Sequence, residues 1–405
     1  MNNQNKKEQF PLFVTFILIS GIFLVGSDEL ILSPLLPELV RDLNTTFSLA
    51  SLSVSLYGLA IGLVVPFIAP FIDRVSRARL MGVSLLIFSV TSFLCAIAPN
   101  MLILLIGRLL SGICAGIYIP TAYAFVGDQV PFKFRGRVMG IVLSGWSLSL
   151  ILGIPLGAYI GDLYHWRWTF ILIGLLSIII STLSLTLLKT EQSAEYHHQK
   201  QNGFFQHLFI ALNEKQVTLL LFTTFCNMFG FYGVYTFLGS YVQQAYQLNV
   251  SESGKVILFY GIGIALSPLA GVIVDFFGKK AALITALIGL SVTLFALSSV
   301  KVPLLIFYIL LVVWGALQSV VLTSISSLLS NQSTELRGRI MSLYSLSTNL
   351  AVATGSFIMG MFYSSFGFHI VGIICGIITG LGGVVYTLSL IKLKKKVELT
   401  AIEKY

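Results

Sequence analysis

Ala69-Pro-Phe-Ile-Asp73-Arg74-Val-Ser76-Arg77-Ala-Arg79 returns 202 residues later as Gly271-Val-Ile-Val-Asp275-Phe-Phe-Gly278-Lys279-Lys280. Both stretches read small-x-x-x-Asp-x-x-small-basic, and each lies between two apolar runs. The pattern describes a short turn in which small residues let the chain reverse. Its acid can meet the N-terminal dipole of a neighbouring helix, and its basic residues hold one membrane face. The same offset relates Arg135-Gly136-Arg137 to Arg337-Gly338-Arg339, Met139 to Met341 and Gly153 to Gly355. One offset shared by loops and a helix interior predicts two halves of like topology, related by an axis along the membrane normal, with a cavity where they meet.

The composition sets the solvent in which those halves fold. Of 405 residues, 56% are hydrophobic and 10% charged, where a soluble chain carries about 25% charged. A mean hydropathy of +0.91 requires apolar surface as well as apolar core, which lipid stabilises and water does not. The net charge of +9 would suggest nucleic acid on a soluble protein, but placement argues otherwise. Cys95, Cys114, Cys226 and Cys375 all lie within apolar segments, without the spacing of a disulfide framework or a metal site. Lys6 and Lys7 before an apolar run imitate a signal peptide, yet no A-x-A pattern follows Val25, so the run reads as an uncleaved first span.

About 20 apolar residues cross the hydrocarbon as a helix. Twelve stretches qualify: 11–36, 46–71, 80–98, 101–126, 138–160, 166–188, 217–243, 253–275, 281–300, 303–329, 340–364 and 368–391. Alternating from an inside start, 20 Lys and Arg fall on one side, while Arg41, Arg167, Lys255 and Lys301 fall on the other and Arg108 lies inside a span. The positive-inside rule then places both termini in the cytoplasm. The polar stretch from 189 to 216, with His197 and His198, reads as a solvated linker. It divides the chain into an N-terminal six-helix bundle (1–189), a linker (190–216) and a C-terminal bundle with a basic tail (217–405).

The repeated loop resembles the G-x-x-x-D-R-x-G-R-R signature that follows helices 2 and 8 in the major facilitator superfamily. Ala69 and Ser76 stand for its glycines in the first copy, and the second copy lacks the Arg after Asp275. The resemblance covers essentially the whole chain and implies an all-α fold of twelve helices in two pseudo-symmetric bundles. It also implies a conformational latch of Asp73, Arg74, Arg77 and Asp128, with Asp275, Arg137 and Arg339 as further members. Ala and Ser are expected to keep the close packing of the glycines they replace.

Among the acids, only Asp28 and Glu29 sit clearly inside a span. Burying a charge in hydrocarbon costs several kcal/mol, so the pair must face a cavity or a partner, unless it is wet at the outer interface. Neighbours on a helix point about 100° apart, so the two cannot share one direction. Arg108 keeps its proton and needs a carboxylate, an anionic substrate or backbone carbonyls; Asp28 or Glu29 is its natural partner. Arg108, followed by Gly112 and Gly116, resembles the superfamily's helix 4 motif associated with proton coupling. In span 5, Gly145, Gly153, Pro155 and Gly157 predict a kinked helix with one thin face, and glycine-x-proline-x-x-glycine resembles the antiporter motif of exporters. With Gly26-Ser-Asp28-Glu29 and His165-Trp166-Arg167-Trp168, the N-terminal half looks like the drug:proton antiporters related to bacterial sugar-efflux permeases. Those relatives carry an acid at the position of Glu29.

Aromatic walls with scattered amides suit amphipathic ligands. The candidates are Tyr118, Tyr123 and Trp146 in the first half, and Asn227, Tyr232, Tyr235, Tyr260, Trp314, Gln318 and Asn349 in the second. No deep charge lies in the second half, so coupling is expected in the first and substrate choice in the other. No nucleotide motif, metal cluster or catalytic constellation is found, so neither a cofactor nor an enzymatic activity is expected. The expected protein is a monomeric, proton-driven exporter of small amphipathic compounds in the cell membrane, with protons, a small substrate and lipid as its partners and no nucleic acid. The rival readings are a narrow exporter of sugars or metabolites, a membrane enzyme acting on lipid, and a sensor that does not transport.

Overall fold

A computed structural model describes residues 11–72, 75–188, 212–299, 302–332 and 336–402. These residues are helical, with no β-strand among them. In chain order the helices are α1 (Leu12–Leu30), α2 (Leu32–Asp42), α3 (Phe47–Ile72), α4 (Arg77–Ala96), α5 (Met101–Gln129), α6 (Phe132–Leu143), α7 (Gly145–Leu148), a π-helical turn (Ser149–Gly153), α8 (Ile154–Leu163) and α9 (Trp166–Leu187). There follow α10 (Lys215–Tyr246), α11 (Val250–Ala265), α12 (Ser267–Phe277), α13 (Lys279–Leu297), α14 (Leu304–Ser330) and α15 (Arg337–Ile402).

Ten helices among the described residues are long and apolar enough to cross a membrane, or eleven when the pair α11 and α12, bent by 41°, is one crossing. The expected spans 340–364 and 368–391 both fall within α15, which has 66 residues and would run roughly 100 Å if straight. Gly367, at φ 75, interrupts it. The first expected span is also broken, at Ile31 between α1 and α2, and α2 runs past the expected end of that span to Asp42. Residues such as Ile87, Val90, Ile179, Ile288, Val292 and Val384 are apolar and exposed, as a lipid-facing surface requires.

Helix starts follow their capping residues. Asn100 accepts from Ile103 N at 3.1 Å, and Asn249 with Glu252 forms a reciprocal capping box. The two repeated loops end differently. Ser76, at φ −53, caps α4 through its side chain, whereas Gly278 adopts φ 82 ahead of α13. A Cβ at Gly271 or Gly278 would meet nothing within 4 Å. Close packing is therefore not what Gly271 and Gly278 provide: Gly278 is needed for its backbone conformation, and Ser76 at the matching position of the first copy supplies a cap.

Close packing is set by glycines elsewhere. A Cβ on Gly112 would lie 2.4 Å from the Tyr57 carbonyl oxygen, so α5 rests directly on α3. Along span 5, added Cβ atoms at Gly153, Gly157 and Gly161 would meet Ser27 Oγ at 2.1 Å, Ile31 Cδ1 at 2.7 Å and Leu35 Cδ2 at 2.6 Å. The thin face of span 5 is thus the seat of α1 and α2. Pro155 has no N–H for the carbonyl one turn earlier, and the π-helical turn Ser149–Gly153 absorbs the mismatch.

The halves meet chiefly away from the end that carries the basic loops. Ser33 Oγ donates to the Tyr235 carbonyl at 2.6 Å and accepts from Gly239 N at 3.1 Å, and Gln243 Nε2 donates to the Pro34 carbonyl at 2.8 Å. A Cβ on Gly254 would come 2.5 Å from Ala158 Cβ, and one on Gly360 would come 2.2 Å from Ser51 Oγ. Ser33 and Tyr235 are 202 residues apart, as are Ala158 and Gly360. The seam therefore joins equivalent positions of the repeat across its axis.

Gly112→Ala is expected to lower thermal stability by about 1–3 kcal/mol, because the intruding atom meets backbone that cannot rotate away. Gly136→Ala, on open α6, is expected to be neutral or slightly stabilising. Melting of both variants in detergent checks this; equal melting temperatures would contradict the close α3–α5 contact.

Candidate functional site

Ser27, Asp28 and Glu29 are consecutive on α1 and turn to three different helices. Ser27 faces the thin glycine face of span 5. Asp28 accepts from Arg108 Nη1 of α5 at 2.6 Å. Glu29 accepts a hydrogen bond from the Tyr232 hydroxyl of α10, in the other half. Asp28 is 0% and Glu29 4% exposed, which removes the reading of the pair as wet interfacial acids. Of the two possible partners for Arg108, it is Asp28 that pairs.

The guanidinium is held on several sides. Arg108 Nε donates to the Ser53 carbonyl at 3.3 Å, and its Cζ lies 4.3 Å from the centre of the Tyr57 ring. Tyr57 in turn donates to the Val25 carbonyl at 3.2 Å, tying α3 to α1. Sequence reasoning missed Ser53 and Tyr57; nothing in a one-dimensional pattern distinguishes a Tyr under a guanidinium from one packed in a bundle. Asp28 Oδ1 and Arg108 Nη2 have no hydrogen-bond partner. With one carboxylate neutralising one guanidinium, Glu29 is left as the carboxylate whose hydrogen-bond partner is a neutral hydroxyl.

The expected cavity aromatics of the second half do come together, around a residue the sequence reading omitted. Phe231 lies 5.3 Å from Tyr235, 5.4 Å from Tyr260 and 5.5 Å from Trp314, and adjoins Tyr232 at 4.8 Å, ring centre to ring centre. These rings are buried against one another. They form a packed aromatic cluster. The run Phe229-Gly-Phe231-Tyr232 was the available signal. Tyr235 also donates to the Leu30 carbonyl at 3.3 Å, so the cluster touches α1 beside Glu29. Asn227 and Gln318 are buried, and the side-chain nitrogen and oxygen of each have no partner.

The other candidates make different contacts, and Trp146 packs against Gly26 of α1, next to Ser27. Trp146 donates to the Tyr123 hydroxyl at 3.3 Å, and the Tyr118 hydroxyl abuts Gly21. Asn349 donates to the Ser345 carbonyl at 2.8 Å and packs against Gly62, which makes it a contact between α15 and α3. Of the expected latch, Arg77 pairs with Asp128 at 2.6 Å, the Arg77 side chain being mostly covered and that of Asp128 exposed. Asp73 and Arg74 lie outside the described residues, as do 190–211 of the linker. Asp275 is on α12, Arg137 on α6 and Arg339 in the first turn of α15.

A second polar cluster, not anticipated, closes the end opposite the basic loops. Arg167 pairs with Asp42 and donates to the Ala98 carbonyl at 2.8 Å; Trp166 Nε1 donates to Asp42 at 3.1 Å, and its backbone N to Glu38 at 3.4 Å. Burial alone would raise the Asp42 carboxyl, but hydrogen bonds from Arg167 and Trp166 outweigh it and hold the group below its usual range. Burial of Glu38 outweighs the neighbouring His165 and raises that carboxyl. Arg167 and Asp42, opposite charges in loops of one side, were the only sequence signal.

Two bundles joined along a pseudo-symmetric seam, with a buried ion pair in one bundle and a carboxylate bridging to the other, define the class of membrane transporters that work by alternating exposure. The chain matches the Major Facilitator Superfamily over residues 18–266 and again over 220–402, starts 202 residues apart, and it belongs to that family. It is 40% identical over 402 residues to the uncharacterized MFS-type transporter YwfA of Bacillus subtilis (strain 168), covering 97% of this chain and 96% of that one. It is 26% identical over 380 residues to YceJ of the same organism, also an uncharacterized MFS-type transporter, covering 93% of this chain and 94% of that one. Similar solved structures include a bacterial homologue of the human lysosomal transporter Spinster in an inward-facing, occupied conformation (TM-score 0.78, 15% identity, 94% of this chain and 97% of that one). A D-xylose–proton symporter has a TM-score of 0.75 at 15% identity, covering 93% and 97%. These two likenesses show the fold.

Asp28→Asn is expected to cost about 3–5 kcal/mol, because it strands the Arg108 charge in the core. Joining it to Arg108→Gln should cost less than the sum of the single changes, which a double-mutant cycle of melting curves measures. For Asp42, a folded-state value below the unfolded one means that its stabilisation is present above the ordinary carboxylate range, about pH 4, and is lost as pH falls through the folded value. The melting difference between the parent and Asp42→Asn should therefore vanish on acidification; a difference independent of pH would refute the assignment.

Proposed function

We propose that this chain is a secondary active transporter of the proton-coupled antiporter type, exporting small amphipathic compounds across the cell membrane with both termini in the cytoplasm. The observation that carries the proposal is Glu29. Its neighbour Asp28 is neutralised by Arg108, while Glu29 is buried and bonded to Tyr232 across the boundary between the halves. A carboxylate in that position links proton occupancy to the separation of the bundles. Ionised, it accepts a charge-assisted hydrogen bond, roughly twice as strong as a neutral one; protonated, it grips α10 less firmly and carries no charge through the low-dielectric seam.

In the proposed cycle, compounds enter from the basic, cytoplasmic end, because the seam is tightest at the other. The two bundles then rock about the midplane. A proton taken by Glu29 from outside displaces the cargo, and its release to the cytoplasm restores the Glu29–Tyr232 bond. Coupling thus belongs to the N-terminal bundle (1–189), and selection chiefly to the C-terminal one (217–405). The span 5 glycine stripe supports this division, since it seats the coupling residues of α1 as one rigid unit. Each element of the centre is supplied within one chain, which supports action as a monomer.

The test is a growth screen of expressing cells against a varied panel of toxic amphipathic compounds, with and without a proton uncoupler. Any compound found is then followed in inverted vesicles under an imposed pH gradient. Glu29→Gln is expected to abolish gradient-driven transport at unchanged protein level, while Tyr232→Phe, which keeps the carboxylate, lowers the rate without abolishing it. Full gradient-driven export by Glu29→Gln would refute the coupling.

A further inference from the structure

Asn227 of α10 and Gln318 of α14 are each 2% exposed, and all four of their side-chain polar atoms are without a hydrogen-bond partner among the described residues. Buried amides are nearly always paired, so two such exceptions require an explanation. Their placement supplies one. Phe231 and Trp314 pack at 5.5 Å between α10 and α14, which run antiparallel. Asn227 precedes Phe231 by four residues and Gln318 follows Trp314 by four. A separation of four residues keeps a side chain on the same helix face and displaces it by about 6 Å. Both displacements run toward the basic end. The two amides therefore sit together directly beneath the aromatic cluster, on the side from which the proposed cargo enters.

Each amide presents an N–H donor and a carbonyl acceptor, so the pair offers both kinds of group and no charge. None of α10, α13 and α14 carries an Asp, Glu, Lys or Arg near its middle, and Lys255 of α11 is exposed; Asp28 is neutralised by Arg108, and Glu29 is held by the hydroxyl of Tyr232, five residues beyond Asn227 on the side away from the basic end. A carboxylate or ammonium placed among the amides would be desolvated with no counter-charge on either helix that carries them. An uncharged polar edge with its own donor and acceptor would satisfy the amides, while an aromatic body continues the ring packing of Phe231 and Trp314.

We infer that Asn227 and Gln318 form the polar end of a ligand site beneath the Phe231–Trp314 pair, one that takes an uncharged aromatic compound bearing both a hydrogen-bond donor and an acceptor. The bound compound being cargo rests on the transport reading above; the binding itself does not.

The experiment uses the purified full-length chain in lipid nanodiscs, at neutral pH and with no gradient. Equilibrium dialysis measures affinity for three probes sharing one ring system: 2-naphthamide, 2-naphthoate and 2-naphthylmethylammonium. The amide is expected to bind at least about tenfold more tightly than either ion, the scale of one or two net hydrogen bonds. Asn227→Leu and Gln318→Met are each expected to lose about tenfold in affinity for 2-naphthamide, with a melting temperature equal to or above that of the parent, because unpartnered polar groups have been removed. The site is overturned if none of the three probes binds or if an ion binds as tightly as the amide. It is equally overturned if the two variants keep their affinity, or lose it together with a fall in melting temperature. Since no gradient is involved, failure here leaves the role of Glu29 standing, and failure of Glu29→Gln to block transport leaves this site standing.

Discussion

Three consecutive side chains on α1 point at three different helices, and the architecture follows from seating all three. A helix turns about 100° per residue, so Ser27, Asp28 and Glu29 cannot share a partner. Ser27 needs a neighbour without side chains, which Gly153 provides. Asp28 needs a cation, which Arg108 provides at 2.6 Å. Glu29 meets Tyr232 of the opposite bundle. The first two contacts bind α1 firmly into its own half, and the third reaches across to the other. The asymmetry between a neutralised acid and one with only a hydroxyl partner is thus a consequence of helical geometry acting on adjacent residues.

The repeat explains why the third contact lies where it does. Two copies of one topology facing each other across an axis bring equivalent residues together nearest that axis. Ser33 bonds to Tyr235, its own counterpart. The Ala158–Gly254 and Ser51–Gly360 contacts are mates across the same axis, since Ala158 and Gly360 share the offset and Ser51 and Gly254 miss it by one residue. Small residues at these points let backbones approach where lipid gives helices no hydrophobic reason to associate. The copies have diverged where symmetry is not needed. The ion pair belongs to the first half, while the second carries the aromatic cluster and its unpartnered amides.

Reading the chain in one dimension found the residues that are chemically out of place, because the bilayer makes them so. A carboxylate or guanidinium in a run of Leu, Ile and Phe is conspicuous; Tyr57 under Arg108, or Phe231 among the rings, is not, since aromatics are ordinary in such helices. The reading left both acids open as partners of Arg108, because the choice depends on the rotation of α1, which the glycines of span 5 set. That the rings of Phe231, Tyr235, Tyr260 and Trp314 touch one another depends on distances between helices, which no periodicity gives. At the turn of the repeated loop, Gly278 is required for its φ of 82, and Ser76 acts as a cap.

By itself, then, the sequence determined the solvent, the helices, the two-fold repeat and the short set of buried charges. These depend on composition and periodicity, which are properties of the chain read residue by residue. The tertiary structure decided the pairings: Asp28 with Arg108, Glu29 with Tyr232, Arg167 with Asp42, and the amides of Asn227 and Gln318 with nothing among the described residues. Pairing depends on helix rotation and depth, and small residues far away in the chain fix both by letting one helix settle against another.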